Sequence, residues 1–108
     1  MFILGVHVRF LPNLKMIQKR TSGAVDFYRT YSDYQGYFGD QDNYWIGLNA
    51  LNSLTSHRPQ ELYVWLQGHD LRSHYAKYGT FYVGPESDGY RLNVTGYTGN
   101  ASKEILMI

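Results

Sequence analysis

Three β-prone segments separated by glycine-containing turns fill much of the second half of the chain, and they constrain the fold more than any other feature. In the first segment, Leu62, Val64 and Leu66 alternate with the aromatic residues Tyr63 and Trp65. A strand places alternate side chains on opposite faces, and both faces of this segment are apolar. We therefore expect a strand that is covered on both sides.

The other two segments extend this pattern into an antiparallel meander. The second runs from Tyr75 to Val83 and is expected to bend at Gly79. The third runs from Tyr90 to Thr95, and its alternation predicts that three side chains point inward, namely Tyr90, Leu92 and Val94.

Shorter elements precede the meander. Leu14 to Lys19 predicts a strand, and the stretch from Ala24 to Phe38 predicts a brief helix, capped by Thr30 or Ser32 and stopped by Gly36 and Gly39. A second helix is expected from Gly47 to Thr55, because Leu48, Leu51 and Leu54 recur at threefold spacing. The predicted class is α+β, with short helices packed on an antiparallel β-meander.

Composition narrows the function classes. The 108 residues carry a formal net charge of +1 with no basic block, which argues against nucleic-acid binding. The apolar stretch Met1 to Val6 is too short for a membrane span or a secretory signal, so neither is expected.

Candidate chemistry is sparse. Asp40 to Asn43 lacks the later ligands of a helix-loop-helix calcium site and predicts a polar turn. His57, His69 and His74 are not joined by a cysteine or glutamate cluster, and no serine stands in a nucleophile elbow. We therefore expect no catalytic, cofactor-binding or metal site.

Aromatic residues make up 17% of the sequence and allow two interpretations. They could form a stacking platform for single-stranded nucleic acid or sugar rings. Burial in the core is the favoured alternative for Tyr75, Phe81, Tyr90 and the two tryptophans. A seam between helix and sheet is favoured for the tyrosines at threefold spacing, which are Tyr28, Tyr31, Tyr34 and Tyr37.

Two Asn-x-Ser/Thr sequons stand near the end of the sequence. They are Asn93-Val94-Thr95 and Asn100-Ala101-Ser102, and both asparagines are candidate glycosylation sites. Asn93 alternates with apolar neighbours, so its side chain is expected to face solvent.

A series of short motifs resembles fibrinogen C-terminal-like domains. The first four are Gln18-Lys19-Arg20, Val25-Asp26-Phe27-Tyr28-Arg29, Gly36-Tyr37-Phe38-Gly39 and Tyr44-Trp45-Ile46-Gly47-Leu48. The resemblance covers Met16 to Ala101 in order and implies that this part is the N-terminal portion of such a domain. It assigns family-motif structural positions to Arg20, Asp26, Phe27, Gly39, Trp45, Gly47, Leu62, Tyr78, Phe81, Tyr90, Leu92, Gly96 and Gly99.

The departures from the family pattern carry implications of their own. Residues 1–15 show none of the family's cysteine-containing opening, and residues 102–108 form a divergent tail. The resemblance places the family's calcium loop and ligand pocket in the half that would follow, so calcium and ligand residues are expected only there. It also explains the absence of cysteine from the sequence.

The resemblance implies a non-enzymatic extracellular recognition module, secreted and binding a carbohydrate, an acetylated group or a protein through the complete domain. The alternative is an inactive partial gene product, or a structural fragment with no independent ligand binding. The oligomeric state stays open.

Overall fold

The computed structural model describes residues 3–10, 13–57, 60–68 and 73–100. The strands are β1 Ile3–Phe10, β2 Asn13–Arg20, β3 Phe38–Gly39, β4 Tyr44–Trp45, β5 Gln60–Gln67, β6 Ser73–Val83 and β7 Leu92–Gly99. Two α-helices, α1 Tyr31–Gln35 and α2 Leu48–Thr55, and a 3₁₀ turn at Glu86–Asp88 connect them. All strands join one antiparallel sheet in the order β3-β4-β2-β1-β5-β6-β7, which confirms the predicted α+β class.

Strand β1 lies in the middle of this sheet, although its residues were expected only to form part of a divergent N-terminal segment. It pairs with β2 on one side and β5 on the other. Leu4 and Val8 are fully buried, and Val6 packs against the same core. The period-2 alternation of these residues with Gly5, His7 and Arg9 is the signal that predicts a strand here.

Helix α1 is shorter than predicted. Thr30 is its cap, because its hydroxyl accepts a hydrogen bond from the Asp33 N–H while the Asp33 carboxylate accepts one from the Thr30 N–H. This reciprocal pair satisfies two backbone donors at the helix start. Tyr28 and Tyr37 therefore lie outside the helix.

Helix α2 begins after Gly47 and ends at Thr55, close to the prediction. Leu51 is buried, and Leu48 and Leu54 pack against the core, so the predicted threefold leucine face is confirmed. The end of the helix is joined to β6, because the Asn52 amide donates to the Val83 carbonyl at 2.9 Å.

The two faces of the sheet differ. The helical face carries the core residues of the central strands, including Leu4, Val8, Leu62, Val64 and Ala76. The opposite face, called the open face below, carries the alternating residues such as His7, Tyr63, Trp65, Tyr75 and Lys77.

Three burial predictions are wrong. Trp65 and Tyr75 are 38% and 48% exposed on the open face, because no described element covers that side of β5 and β6. Leu92 pairs with Val83 on the helical face but is 58% exposed. The threefold tyrosines form no buried seam, because three of them are largely exposed, namely Tyr28, Tyr31 and Tyr37.

Candidate functional site

A largely apolar cavity of about 380 Å³ opens between the helical face and the two helices. Its floor is formed by residues of β1, β5 and β6, among them Leu4, Val64 and Phe81. Leu48 and Leu51 of α2 close one side. The volume lies within the range of roughly 300–1,000 Å³ that ligand sites occupy.

Tyr90 forms a wall of this cavity. It lies two residues before the start of β7, although the sequence predicted that it begins this strand. Its backbone has φ 54°, a left-handed conformation that is uncommon for a tyrosine. Its hydroxyl donates to the Asn49 side-chain oxygen of α2 and accepts from the Gln35 amide of α1 at 3.1 Å. Both helices therefore hold Tyr90 in position.

The mouth of the cavity carries exposed apolar surface. Tyr31 is 59% exposed, and its ring centroid lies 6.1 Å from that of Tyr90. Leu92 stands at the same opening. Desolvation raises the pKa of Tyr31 above its ordinary value. The cavity can receive an apolar group, and its mouth offers aromatic contact.

A polar network occupies the open face. The Arg9 guanidinium donates to the Tyr63 hydroxyl at 3.0 Å, and that hydroxyl donates to Glu61 at 3.3 Å. Lys77 approaches the same carboxylate at 3.0 Å. The hydrogen bond from Lys77 lowers the pKa of Glu61, which keeps this carboxylate ionised.

The polar turn predicted at Asp40 to Asn43 is present. The Asp40 carboxylate accepts hydrogen bonds from the N–H groups of Asp42 and Asn43. The buried Asn43 side-chain oxygen accepts from the N–H groups of Thr21 and Ser22. These side chains therefore fix the backbone of two loops.

Across the described ranges, no group of three His, Asp or Glu side chains is placed to hold a metal ion. Of the three histidines weighed as metal ligands, His57 is exposed and His74 is half-buried. The third, His69, lies outside the described residues. Within the same ranges, no helix is long and apolar enough to cross a membrane.

The first family-motif positions surround the loop between β2 and α1. The Arg20 guanidinium lies 4.2 Å from the Phe27 ring centroid, and the Phe27 ring packs edge-on against Phe38. The Asp26 carboxylate accepts from the Tyr28 N–H at 2.8 Å. Trp45 donates its indole N–H to the Tyr34 carbonyl at 2.8 Å, which ties α1 to β4.

Apart from the exposed Leu92, the remaining motif positions are either core residues or glycines with positive φ. Leu62, Tyr78 and Phe81 are buried in the core, as is Tyr90. Positive φ angles occur at the four glycines of the set, Gly39, Gly47, Gly96 and Gly99. At Gly47 an added Cβ would lie 2.7 Å from the Gly36 carbonyl carbon, so two backbone segments approach here as closely as glycine permits.

The two sequon asparagines are both exposed, as expected for Asn93. Asn93 pairs with Tyr82 in β7, which places its side chain on the open face. Asn100 already uses its side-chain oxygen to accept a hydrogen bond from the Tyr75 N–H at 2.8 Å. The rest of the second sequon, Ala101-Ser102, lies outside the described residues.

Comparison with known proteins identifies relatives in both sequence and structure. Mouse angiopoietin-related protein 1 is 38% identical over 92 residues, which is 84% of this chain and 19% of that protein. Fibrinogen C domain-containing protein 1 of Macaca fascicularis is 38% identical over 97 residues, covering 84% of this chain and 22% of that protein.

Solved structures show the same fold. The fibrinogen-like globe domain of human ANGPTL2 superposes with a TM-score of 0.80 at 34% identity, covering 88% of this chain and 45% of that one. The corresponding domain of human ANGPTL6 gives a TM-score of 0.76 at 32% identity, covering 93% and 52%. This chain thus spans about half the length of those globe domains and about a fifth of the curated relatives.

The family model for the C-terminal globular domain of fibrinogen beta and gamma chains matches residues 13–107. The sequence relatives and the superposed globes agree with that match. The protein therefore belongs to the fibrinogen family of C-terminal globular domains.

Proposed function

We propose that this protein is a non-enzymatic extracellular recognition module that binds a protein ligand through the apolar cavity of its helical face. Membership of the fibrinogen C-terminal family and similarity to an angiopoietin-related protein support a binding role outside the cell. The observation that carries the proposal is the open apolar cavity, whose mouth exposes Tyr31 and Leu92. No cofactor is proposed for this chain, and the family resemblance implies calcium only in the part of the fold that this chain does not span.

The shape of the cavity favours a polypeptide with a bulky apolar side chain. Binding energy at protein interfaces is concentrated in a few anchors that fill desolvated pockets. The cavity is lined by residues of the hydrophobic core, so an inserted apolar side chain would pack against that core. Tyr31 and Leu92 would contact the partner around that anchor.

A peptide library panned on the full chain tests this function. We expect the selected peptides to share an apolar or aromatic anchor. Leu92→Glu should weaken their binding at least about tenfold, because a charge at the mouth resists desolvation. Leu14→Glu is a matched control, since Leu14 is 57% exposed and lies on the open face.

Peptides without an apolar anchor would contradict the proposal. So would peptides that bind Leu92→Glu and wild type equally well. Near-UV circular dichroism of both variants checks that the fold is retained, because Trp45 is fixed by its hydrogen bond to Tyr34.

The second candidate is a structural fragment with no independent binding. It is favoured by the coverage of 45% and 52% in the two globe structures, since an incomplete fold leaves apolar surface uncovered. Thermal unfolding of the isolated chain distinguishes the binding module from the structural fragment. A cooperative near-UV transition supports the binding module, and a flat near-UV signal supports the fragment.

A further inference from the structure

Strand β7 forms one edge of the sheet, and it is much longer than the strand at the other edge. β3 has two residues, whereas β7 has eight, from Leu92 to Gly99. Within the described ranges, β7 pairs with β6 on one side and with no strand on the other. An edge of this length presents a row of backbone donors and acceptors to which another strand can bond.

The side chains of β7 do not protect this edge. Edge strands of soluble proteins usually carry a proline or a charged side chain, most often lysine, which prevents pairing with another strand. The β7 sequence, LNVTGYTG, contains neither. The residue before it, Arg91, is charged. An identical strand can therefore approach β7 along its whole length without like-charge repulsion.

The hydrogen-bond pattern fixes which backbone groups of β7 are available. Just before β7, the Gly84 N–H donates to the Arg91 carbonyl at 2.9 Å, so this pair bonds across the ladder. The register of the pairs that follow is constant. Hydrogen-bonded pairs alternate in an antiparallel ladder, so Asn93 and Thr95 bond inward to β6. The N–H and C=O groups of Val94 consequently point out from the edge.

A second copy of β7 can pair with this edge about a two-fold axis at Val94. Val94 then lies opposite Val94 of the second copy, and their outward backbone groups bond to each other. Leu92 lies opposite Gly96 of the second copy, where no side chain opposes it. On the open face Asn93 lies opposite Thr95, so its amide can donate to the threonine hydroxyl.

The backbone favours this axis over one further along the strand. Gly96 has φ 78°, which interrupts the extended conformation. The axis at Val94 centres the pairing on the regular segment before that glycine. It also places the two copies of Arg91 about 20 Å apart along the strands, beyond the range of their repulsion at physiological salt.

From this geometry we propose that β7 is a homodimerisation edge, at which a second copy of this chain adds its own β7 in antiparallel orientation. The two seven-stranded sheets then form one continuous sheet. The edges that remain are the two-residue β3 strands, so assembly stops at two copies. The proposal concerns the sheet edge and does not rest on the protein-binding function proposed for the cavity.

Self-complementarity favours a second copy over an unrelated strand. Each contact across a two-fold axis occurs twice, so the Asn93–Thr95 contact and the pairing of Leu92 with Gly96 are both repeated. The area covered by one added strand is small. Interfaces of that size belong to weak, reversible complexes, so the dimer should form at micromolar concentrations.

Sedimentation equilibrium of the full chain at about 5 to 500 µM tests the dimer. The protein is produced without N-glycosylation, because a glycan on Asn93 would lie against Thr95 of the second copy. We expect a reversible equilibrium between monomer and dimer with no larger species. A chain that stays monomeric over this range would overturn the proposal, as would assembly beyond two copies.

Two double variants test the residues that meet on the open face. Asn93→Lys with Thr95→Lys places lysines opposite each other and should raise the dissociation constant of the dimer at least about tenfold. Asn93→Lys with Thr95→Glu puts charges at the same positions but pairs each lysine with a glutamate, so it should dimerise at least as well as the wild type. Equal dimerisation by the two double variants would overturn the proposal.

Both substituted side chains are exposed and lie outside the lining of the cavity. Peptide binding at the cavity should therefore be the same in both double variants, which keeps a failure of the dimer distinct from a failure of the proposed function. Near-UV circular dichroism reports the fixed environment of Trp45, so a lost dimer is distinguished from a lost fold.

Cysteine substitution tests the register, because the chain has no cysteine of its own. Opposite residues of a non-hydrogen-bonded pair have Cα atoms about 4.5 Å apart, a separation that a disulfide can span. Asn93→Cys with Thr95→Cys should therefore give a covalent dimer on mild oxidation. Thr95→Cys alone is the matched control and should remain monomeric under denaturing conditions. Equal cross-linking of the single and double variants would contradict the axis at Val94.

Discussion

The hydroxyl of Thr55 accepts a hydrogen bond from the backbone N–H of Val83 at 3.0 Å and donates one to the Leu51 carbonyl at 2.9 Å. Thr55 is fully buried at the end of α2, and Val83 ends β6. This one side chain therefore joins the helix to the sheet and supplies a partner to a buried backbone donor.

Thr55→Val should destabilise the fold by about 1–3 kcal/mol, because it keeps the shape but leaves the Val83 N–H without its acceptor. Thr55→Ser is the control, since it retains the hydroxyl. Urea unfolding followed by circular dichroism measures the difference. Equal stability of the valine and serine variants would show that this hydrogen bond does not hold α2 to β6.

Gly47→Ala should destabilise more than Gly89→Ala. Both glycines have positive φ, so each substitution carries a backbone cost of about 1–3 kcal/mol. At Gly47 the new methyl also meets the Gly36 backbone at 2.7 Å, whereas nothing lies within 4 Å at Gly89. Thermal melts of the two variants give the order, and a reversed order would contradict the close approach at Gly47.

Leu62→Ala should cost about 2–5 kcal/mol, because Leu62 is only 3% exposed on the helical face. Leu92→Ala should change the free energy of unfolding far less, within about 0.5 kcal/mol, although both leucines point to the same face. Denaturant titration compares them. A large loss of stability in Leu92→Ala would mean that another element covers the Leu92 side chain.

Stability should depend on pH through Glu61. Its carboxyl pKa is lowered in the folded state, first by the hydrogen bond from Lys77. The resulting stabilisation is present above the ordinary pKa of about 4.3 and is lost as pH falls through the lowered folded pKa.

Glu61→Gln removes that titration. The wild type should therefore lose more stability than the variant between about pH 5 and pH 3, by a small amount because the pair is partly exposed to solvent. Parallel urea titrations at the two pH values measure it, with Glu86→Gln on the exposed 3₁₀ turn as control. An identical pH dependence in wild type and Glu61→Gln would contradict the role of the Lys77 contact.

Short-range patterns in the sequence were sufficient to predict several secondary-structure elements. The alternation from Leu62 to Leu66 predicts β5, the leucines at threefold spacing predict α2, and Thr30 predicts the start of α1. These signals depend on backbone periodicity and on side chains bonding to nearby N–H groups, which are local properties. The ordered family motifs likewise identify the family without any tertiary information.

Strand pairing and side-chain exposure depended instead on which distant segments of the chain pack together. The apolar, β-prone segment from Thr80 to Val83 is an aggregation hazard wherever its strand edges are exposed, yet β6 is paired on both sides by β5 and β7. Exposure of Trp65 and Leu92 likewise depends on what covers each face of the sheet. Composition cannot distinguish a covered aromatic residue from an uncovered one, because burial is set by distant elements.

The sequence by itself determined the family, the α+β class and the local elements, because periodicity, capping and motif order are carried by neighbouring residues. Only the tertiary structure decided the central position of β1, the cavity beside Tyr90 and the exposure of Trp65 and Tyr75 on the open face. Strand order and register bring together residues far apart in the sequence, and each pairing is chosen by the packing of the whole sheet.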